Sequence, residues 1–258
     1  MDNAVVSRQT VGTEGGRGAD FRRNGAAHAQ KNDLKPWRKQ EWCLAKVGAD
    51  FVWRMEDVLD LYAQPYDVAQ PQVCFDERPC ELRADVRDNL PMQPGQPLRY
   101  DTEYERRGSC NRFMFFQPQA GWRHTKVTQQ RKQADFAECM RELVDVHFPQ
   151  AAVIRVVLDN LSTHSPAALY QAFAPAEALR ILKKLEFHYT PKHGSWLNMA
   201  EIELSVLVHQ CLNRRLPDMA ILHHEATAWE RARNAQQAKV RWLFSVTDAR
   251  TKLARLYQ

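Results

Sequence analysis

The spacing of apolar side chains changes along the chain, and each change marks a predicted element. Residues 50–62 repeat apolar side chains at helical intervals, which predicts an amphipathic helix. Residues 153–158 form an unbroken aliphatic run, which is typical of a strand buried on both faces of a sheet. The same criteria predict strands at 73–75, 112–116, 123–128 and 185–189, and helices at 133–147, across 166–184 and at 198–214. This order predicts a mixed α/β layer architecture.

The composition is that of a globular protein with one substantial core. The chain has 258 residues, of which 44% are hydrophobic and 26% are charged. It contains no apolar stretch long enough to span a membrane and no apolar signal segment at its start, which argues against a membrane or secreted protein. Six scattered cysteines favour reduced thiols over a disulfide framework. We therefore expect a cytoplasmic location.

The charge is unevenly distributed, although the net charge of +5 is modest. Residues 50–110 carry an excess of acidic side chains, and residues 223–258 carry an excess of basic ones. This arrangement suits a protein that gathers cations centrally and phosphates peripherally. Chance segregation produces the same pattern, so both interpretations stay open.

Two aspartates directly follow predicted strands. Asp76 comes after the strand at 73–75, and Asp159 ends the run at 153–158. In open α/β sheets the carboxyl ends of strands are where ligands bind and chemistry occurs. An Asp-Asn pair after a strand is also common turn chemistry, and that alternative applies to Asp159.

The helix predicted from Asn198 offers a third carboxylate. Glu201 precedes Leu204 by three positions and Val208 by seven, which places it on the inward apolar face. Glu203 is predicted to face outward. With Asn198 as the cap, Glu201 occupies the third helical position, where the positive helix end favours an ionised carboxylate. The alternative is a reciprocal cap between Asn198 and Glu201.

Three carboxylates in one cleft would repel each other and raise their own pKa values. Divalent cations relieve this repulsion, and ligation by oxygen alone selects Mg²⁺ or Mn²⁺. Two such ions, about 3.5–4 Å apart, can activate a hydroxyl or water and stabilise the leaving oxygen of a phosphodiester. The residues therefore indicate a two-metal phosphodiester chemistry, provided that the acids converge.

Three segments of the chain resemble the signature blocks of DDE transposases. They are CFDE at 74–77, LDNLSTH at 158–164 and YTPKHGSWLNMAE at 189–201. The match is to the bacterial insertion-sequence branch of the Tc/mariner superfamily, which residues 111–128 and the run from Trp229 to Arg250 also resemble. The resemblance implies a ribonuclease-H-like (retroviral-integrase-like) α/β fold over 48–258, with a basic C-terminal helical segment. It also implies that Asp76, Asp159 and Glu201 are the catalytic, metal-binding acids.

The activity implied is cutting of insertion-sequence ends and joining of a 3′-hydroxyl to target DNA. The implied cofactors are two Mg²⁺ or Mn²⁺ ions, and the implied partners are double-stranded DNA and a second copy of the chain. A nucleoid-associated protein without membrane contact is expected. Family members carry a helix-turn-helix region before the catalytic domain, whereas residues 1–47 resemble a disordered segment or a remnant linker. Alternatives are a truncated, non-catalytic remnant that binds DNA or a transposase partner, and a nuclease that only hydrolyses.

Several polar residues are candidates for support or DNA binding. Asn160 and His164 follow Asp159, and His164 is predicted either to contact a phosphate or metal-bound water or to cap or pack a helix. Asn198 is predicted to support Glu201 as its helix cap. The candidates for binding the DNA backbone, for which solvent exposure alone is the alternative, are Lys192, His193, Arg231, Arg233, Lys239 and Arg241.

Overall fold

A computed structural model describes residues 48–257 of the chain. The predicted disordered or linker segment at 1–47 lies outside the described residues. Five strands form one sheet in the order β3-β2-β1-β4-β5. They are β1 (Gln72–Asp85), β2 (Tyr104–Gln117), β3 (Trp122–Thr128), β4 (Ile154–Leu158) and β5 (Leu185–Tyr189). Strands β1, β2 and β3 pair antiparallel, whereas β4 pairs parallel with β1 and with β5.

Seven α-helices accompany the sheet in the described part of the chain. They are α1 (Ala49–Ala63), α2 (Gln133–Glu142), α3 (Pro166–Ala172), α4 (Pro175–Leu182), α5 (Met199–Leu207), α6 (Met219–Ala235) and α7 (Val246–Lys252). Helices α2 and α5 each continue into a π-helical turn, at Leu143–His147 and Val208–Leu212. Within residues 48–257, no helix is long and apolar enough to cross a membrane.

Each face of the sheet has its own apolar core. Side chains alternate along β1, so Phe75 points to one face and Cys74 to the other. Phe75 packs with residues of α2, α3 and α4, including Phe136 and Ile181. Cys74 packs with residues of α1, α5 and α6, including Leu204. Helices therefore cover both faces, and all five residues of β4 are buried, as the aliphatic run predicted.

Strands β1 and β2 are longer than the sequence pattern predicted. Each has 14 residues, and they pair from Cys74 with Phe116 out to Asp85 with Tyr104. The outer part of this ribbon is largely exposed and polar, so it carries little hydrophobic signal. The backbone ladder holds it together, and one exposed cross-strand charge pair adds to it, with Nε of Arg106 2.5 Å from Oε1 of Glu81.

Helix α6 lies beyond the last element that the apolar pattern predicted. Asp218 caps it by accepting a hydrogen bond of 2.8 Å from the Ile221 amide. Its buried residues, Leu222, Ala226 and Trp229, recur at intervals of four and three. The signal for this helix was thus present in the sequence, although the histidines and charged residues between these positions weakened it.

Candidate active site

Asp76 and Asp159 leave neighbouring parallel strands at the same level. Cys74 of β1 pairs with Val157 of β4, and each aspartate lies two positions beyond its member of this pair. Asp76 is still within β1, whereas Asp159 directly follows β4. The two carboxylates therefore lie side by side at the carboxyl edge of the parallel strands.

Asn198 brings the start of helix α5 to this edge. Its side-chain amide donates a hydrogen bond of 2.8 Å to the carbonyl oxygen of Phe75, the residue before Asp76. Its side-chain oxygen accepts a hydrogen bond of 3.1 Å from the Ala200 amide, so Asn198 caps α5 as predicted. Glu201 thus enters the cleft from the first turn of α5, where the positive end of the helix favours its negative charge.

The reciprocal cap that was the alternative role for Glu201 does not form. The side-chain oxygen of Asn198 accepts from the backbone N–H of Ala200 rather than from that of Glu201. The backbone N–H of Asn198 donates to the Ser195 carbonyl oxygen at 2.8 Å, so it is not available to the Glu201 carboxylate. No group among residues 48–257 donates a hydrogen bond to the Glu201 carboxylate. That carboxylate is partly exposed and remains available to a ligand in the cleft.

The prediction that Glu203 faces outward is wrong. Glu203 is fully buried, with its carboxylate 2.8 Å from Nη2 of Arg233 and 3.1 Å from Nε of Arg123. The apolar stripe suggested one inward face, but Glu203 lies on a second buried side, which Arg123 of β3 and Arg233 of α6 reach. A charged residue on the second buried side is invisible to a hydrophobic pattern.

The environment of Asp76 disfavours its negative charge. Burial raises the pKa of its carboxyl to about 7, and the nearby carboxylates of Glu201 and Asp159 raise it as well. A hydrogen bond of 2.8 Å from the Glu77 amide acts in the opposite direction. The register of β1 and β4 and the anchor at Asn198 bring these three acids to the same edge of the sheet.

His164 holds Asp159 in place. Its Nδ1 atom is 2.5 Å from Oδ1 of Asp159, and its Nε2 atom is 3.1 Å from Oε2 of Glu77. Burial lowers the pKa of His164, but the hydrogen bonds with Asp159 and Glu77 outweigh it and raise the pKa to about 9. His164 is buried and both ring nitrogens are occupied, so it positions a carboxylate rather than contacting a phosphate.

The turn chemistry considered for Asp159 is also present. Its Oδ1 atom accepts a hydrogen bond of 3.4 Å from the Leu161 amide, which is long for such a bond. The contact with His164 is much shorter. The Asp159 carboxylate therefore takes part both in the turn and in the candidate active site. The neighbouring Asn160 is exposed.

The candidate DNA-binding residues divide into two groups. Lys192 and His193 are exposed on the loop between β5 and α5, beside the acids. Three further candidates are also exposed, namely Arg231, Lys239 and Arg241.

Arg233 differs from the other candidates, because it turns toward the buried Glu203 and has a structural role that the DNA-binding interpretation did not include. Residues 238–245 are not helical, so the basic C-terminal segment is not one continuous helical surface.

Two functional neighbours escaped the sequence interpretation. Glu77 follows Asp76 in β1, and strand alternation places it on the opposite face, where it holds His164. Arg123 of β3 is fully buried and neutralises Glu203. The period of two along β1 was a usable signal for Glu77, whereas nothing local in the sequence identified the partner of Arg123.

Comparison with known proteins places this geometry in context. A family model described as DDE superfamily endonuclease matches residues 71–223, more than half of the chain. No curated protein matches the chain in sequence. A pre-cleavage Mos1 transpososome aligns with a TM-score of 0.53 at 12% identity, over 99% of this chain and 84% of that chain. The Mos1 mariner paired end complex with Mn aligns with a TM-score of 0.50 at 13% identity, over 90% of this chain and 78% of that chain. The likeness confirms the predicted ribonuclease-H-like fold class.

Proposed function

Because this chain belongs to the DDE superfamily of endonucleases, we propose that it is a Tc/mariner-type transposase. It would cut DNA at the ends of an insertion sequence and join the freed 3′-hydroxyl to target DNA. The observation that carries the proposal is the convergence of Asp76, Asp159 and Glu201 at one edge of the sheet. The fold shared with Mos1 transposase structures over nearly the whole chain supports it.

The residues of the cleft fit divalent metal ions. Asp76, Asp159 and Glu201 offer carboxylate oxygens alone, which are the ligands that Mg²⁺ and Mn²⁺ prefer. The raised pKa of Asp76 indicates that no cationic side chain offsets the negative charge of its carboxylate. When bound, two such ions would lower the pKa of the attacking hydroxyl or water and stabilise the leaving oxygen.

The remaining polar residues would fix the geometry of the acids. His164, held between Asp159 and Glu77, keeps the Asp159 carboxylate from rotating. Asn198 ties the first turn of α5 to the β1 backbone, so Glu201 and Asp76 keep a constant separation. Both are positioning residues, because they act through the acids and not on the substrate.

Double-stranded DNA would approach along the exposed basic residues. Lys192 and His193 lie on the loop that leads to Glu201 and would contact the backbone beside the scissile phosphate. Arg231, Lys239 and Arg241 would bind phosphates further away. The Mos1 structures are paired-end and transpososome complexes. By analogy, we expect two copies of this chain to act together on two element ends.

The test is a DNA cleavage and strand-transfer assay with purified protein, Mn²⁺ and DNA carrying the inverted repeats that flank the coding frame. Wild type is expected to nick and join strands, and Asp159→Asn is expected to do neither. Asp60→Asn is the matched control, because Asp60 is exposed on α1. Equal rates for wild type and Asp159→Asn would overturn the assignment of the acids. Hydrolysis without joining would favour a nuclease.

A further inference from the structure

A second group of metal-ligating side chains lies on the opposite face of the sheet from Asp76. It consists of His124 on β3, Glu142 at the end of α2 and His147 in the following π-helical turn. His124 contacts Phe115, which belongs to the apolar core on the Phe75 face. The group is therefore separated from the acidic cleft by the sheet itself.

The distances within this group match those between ligands of one ion. Oε1 of Glu142 is 3.2 Å from Nε2 of His124 and 3.5 Å from Nε2 of His147. One ligand atom from each of the three residues lies within 4.8 Å of the others. Zinc bonds of about 2.0–2.1 Å at the tetrahedral angle separate two ligand atoms by roughly 3.3 Å.

The side chain of His147 is partly buried, and one of its ring nitrogens lacks the hydrogen bond that a buried polar atom normally makes. Its Nε2 atom is buried and has no hydrogen-bond partner within residues 48–257, although it points toward the Glu142 carboxylate. An unsatisfied buried polar atom costs free energy. A cation shared with Glu142 would satisfy this nitrogen without any movement of the backbone.

The outer nitrogen of His124 is already oriented as in metal-bound histidines. Its Nδ1 atom lies 3.2 Å from Oε1 of Glu230 on α6. Glu230 is itself fixed by hydrogen bonds of 2.7 and 2.9 Å from the amide and hydroxyl of Thr125. A carboxylate that accepts Nδ1–H leaves the Nε2 lone pair directed at the metal, which is the usual arrangement in zinc sites.

We propose that His124, Glu142 and His147 form a zinc site whose fourth position is open to water. Two imidazoles and one carboxylate favour Zn²⁺, whereas the cleft at Asp76 offers only oxygens and favours Mg²⁺ or Mn²⁺. The protein would thus carry two kinds of metal site, one on each face of its sheet. The zinc site would fasten β3 to the end of α2 and, through Glu230, to α6.

Lys126 is the competitor for this site. Its Nζ atom lies 2.6 Å from Oε2 of Glu142 and supplies a positive charge there. Removing the ammonium while keeping all three ligands should therefore tighten Zn²⁺ binding. A purely structural ion-pair network predicts the reverse, namely a loss of stability with no gain in metal affinity.

Calorimetric titration of the full chain with Zn²⁺ alone tests the proposal. Wild type and Asp159→Asn are expected to bind one Zn²⁺ each at this site, and His147→Ala is expected to lose at least about a hundredfold in affinity. His188→Ala is the matched control, because His188 lies 2.8 Å from Asp57 and 3.0 Å from Glu186 without a second histidine. Zn²⁺ binding by His147→Ala with wild-type affinity would overturn the proposal.

A second variant keeps the test decisive should His147→Ala fail to fold. Lys126→Met retains His124, Glu142 and His147, so it should bind Zn²⁺ more tightly than wild type, and bound Co²⁺ should show tetrahedral absorption. Unchanged or weaker binding by a folded Lys126→Met protein would overturn the proposal. Asp159→Asn distinguishes the proposed transposase activity from the proposed zinc site, since it should remove DNA cleavage but leave Zn²⁺ binding intact.

Discussion

Two glutamates on helix α5, separated by a single residue, have opposite electrostatic environments. Glu203 is fully buried, and two arginines, Arg123 and Arg233, face its carboxylate. Glu201 is partly exposed, and no residue in 48–257 donates a hydrogen bond to its carboxylate. The protein neutralises Glu203 with its own cations, whereas Glu201 has no cationic partner among residues 48–257.

The difference distinguishes a glutamate that stabilises the fold, Glu203, from one that lies in the candidate active site, Glu201. A buried carboxylate with well-placed guanidinium partners is fixed and unreactive, and breaking such a group is costly. Asp76 faces the carboxylates of Asp159 and Glu201 and has no cationic partner of its own among residues 48–257, which destabilises the metal-free protein, as its raised pKa indicates. The four predictions that follow test this contrast in order of decreasing effect on stability.

The largest effect is expected from Glu203→Gln. This change leaves the fully buried Arg123 and the partly buried Arg233 beside a neutral side chain, so the free energy of unfolding should fall by about 3–5 kcal/mol. Glu201→Gln is the matched control on the same helix and should leave stability unchanged or slightly higher. Urea denaturation of the metal-free proteins measures both. Equal losses of unfolding free energy for Glu203→Gln and Glu201→Gln would contradict the proposed difference between their environments.

Mg²⁺ should stabilise the wild-type protein through the cleft alone. At a concentration about 100 times its dissociation constant, it should raise the free energy of unfolding by about 2.7 kcal/mol. Mg²⁺ is chosen because imidazoles bind it weakly, which leaves His124 and His147 out of the response. Glu201→Gln should lose most of the increase in thermal denaturation experiments. A full increase in that variant would show that Mg²⁺ binds elsewhere.

Asp76→Asn should stabilise the metal-free protein, in contrast to Glu203→Gln. The amide keeps the hydrogen bond from the Glu77 amide and removes a buried negative charge next to Asp159 and Glu201. We expect a gain on the order of 2 kcal/mol at pH 8 in the presence of a chelator. Chemical denaturation measures this gain, and a loss of stability would contradict the idea that Asp76 has no cationic partner.

The smallest effect is expected at the surface. The hydrogen bond from Arg250 holds the pKa of Glu56 below its ordinary value, against the effect of burial. The stability that this pair adds is therefore present above the ordinary glutamate pKa of about 4.3 and is lost as the pH falls through the lowered value.

Comparing Glu56→Gln with wild type from about pH 7 to about pH 3 should show a difference near the resolution of urea denaturation, because exposed pairs contribute little. The difference should shrink as the pH falls below the ordinary glutamate pKa. A difference that grows as the pH falls would have the wrong sign for this pair.

Local sequence patterns predicted the strands and helices with continuous apolar signals. The aliphatic run that ends before Asp159 became β4, and the capping residue Asn198 begins α5 as expected. The carboxyl-edge rule identified Asp76 and Asp159 as candidate site residues, each from its own strand, but it did not show that the two strands are neighbours. These predictions succeeded because each depends on residues close together in the chain.

The features that were missed depend on distant residues. Glu203 was assigned to solvent because Arg123 and Arg233, which make its burial possible, come from β3 and α6. The outer ribbon of β1 and β2 was missed because its side chains are largely exposed and polar, so that backbone pairing with a distant strand holds it. The sequence left two roles open for His164, because Glu77, which pairs with its second ring nitrogen, comes from a distant strand. Each case required the tertiary fold.

The hydrogen bond between Asn198 and the Phe75 backbone also determines when the site can exist. It joins residues 123 positions apart, so the acidic cleft forms only after most of the chain has left the ribosome. Contacts between such distant segments close late in folding. Arg233, the partner of Glu203, is synthesised later still. Nascent chains would therefore lack the assembled acidic cleft until the last part of the fold is in place.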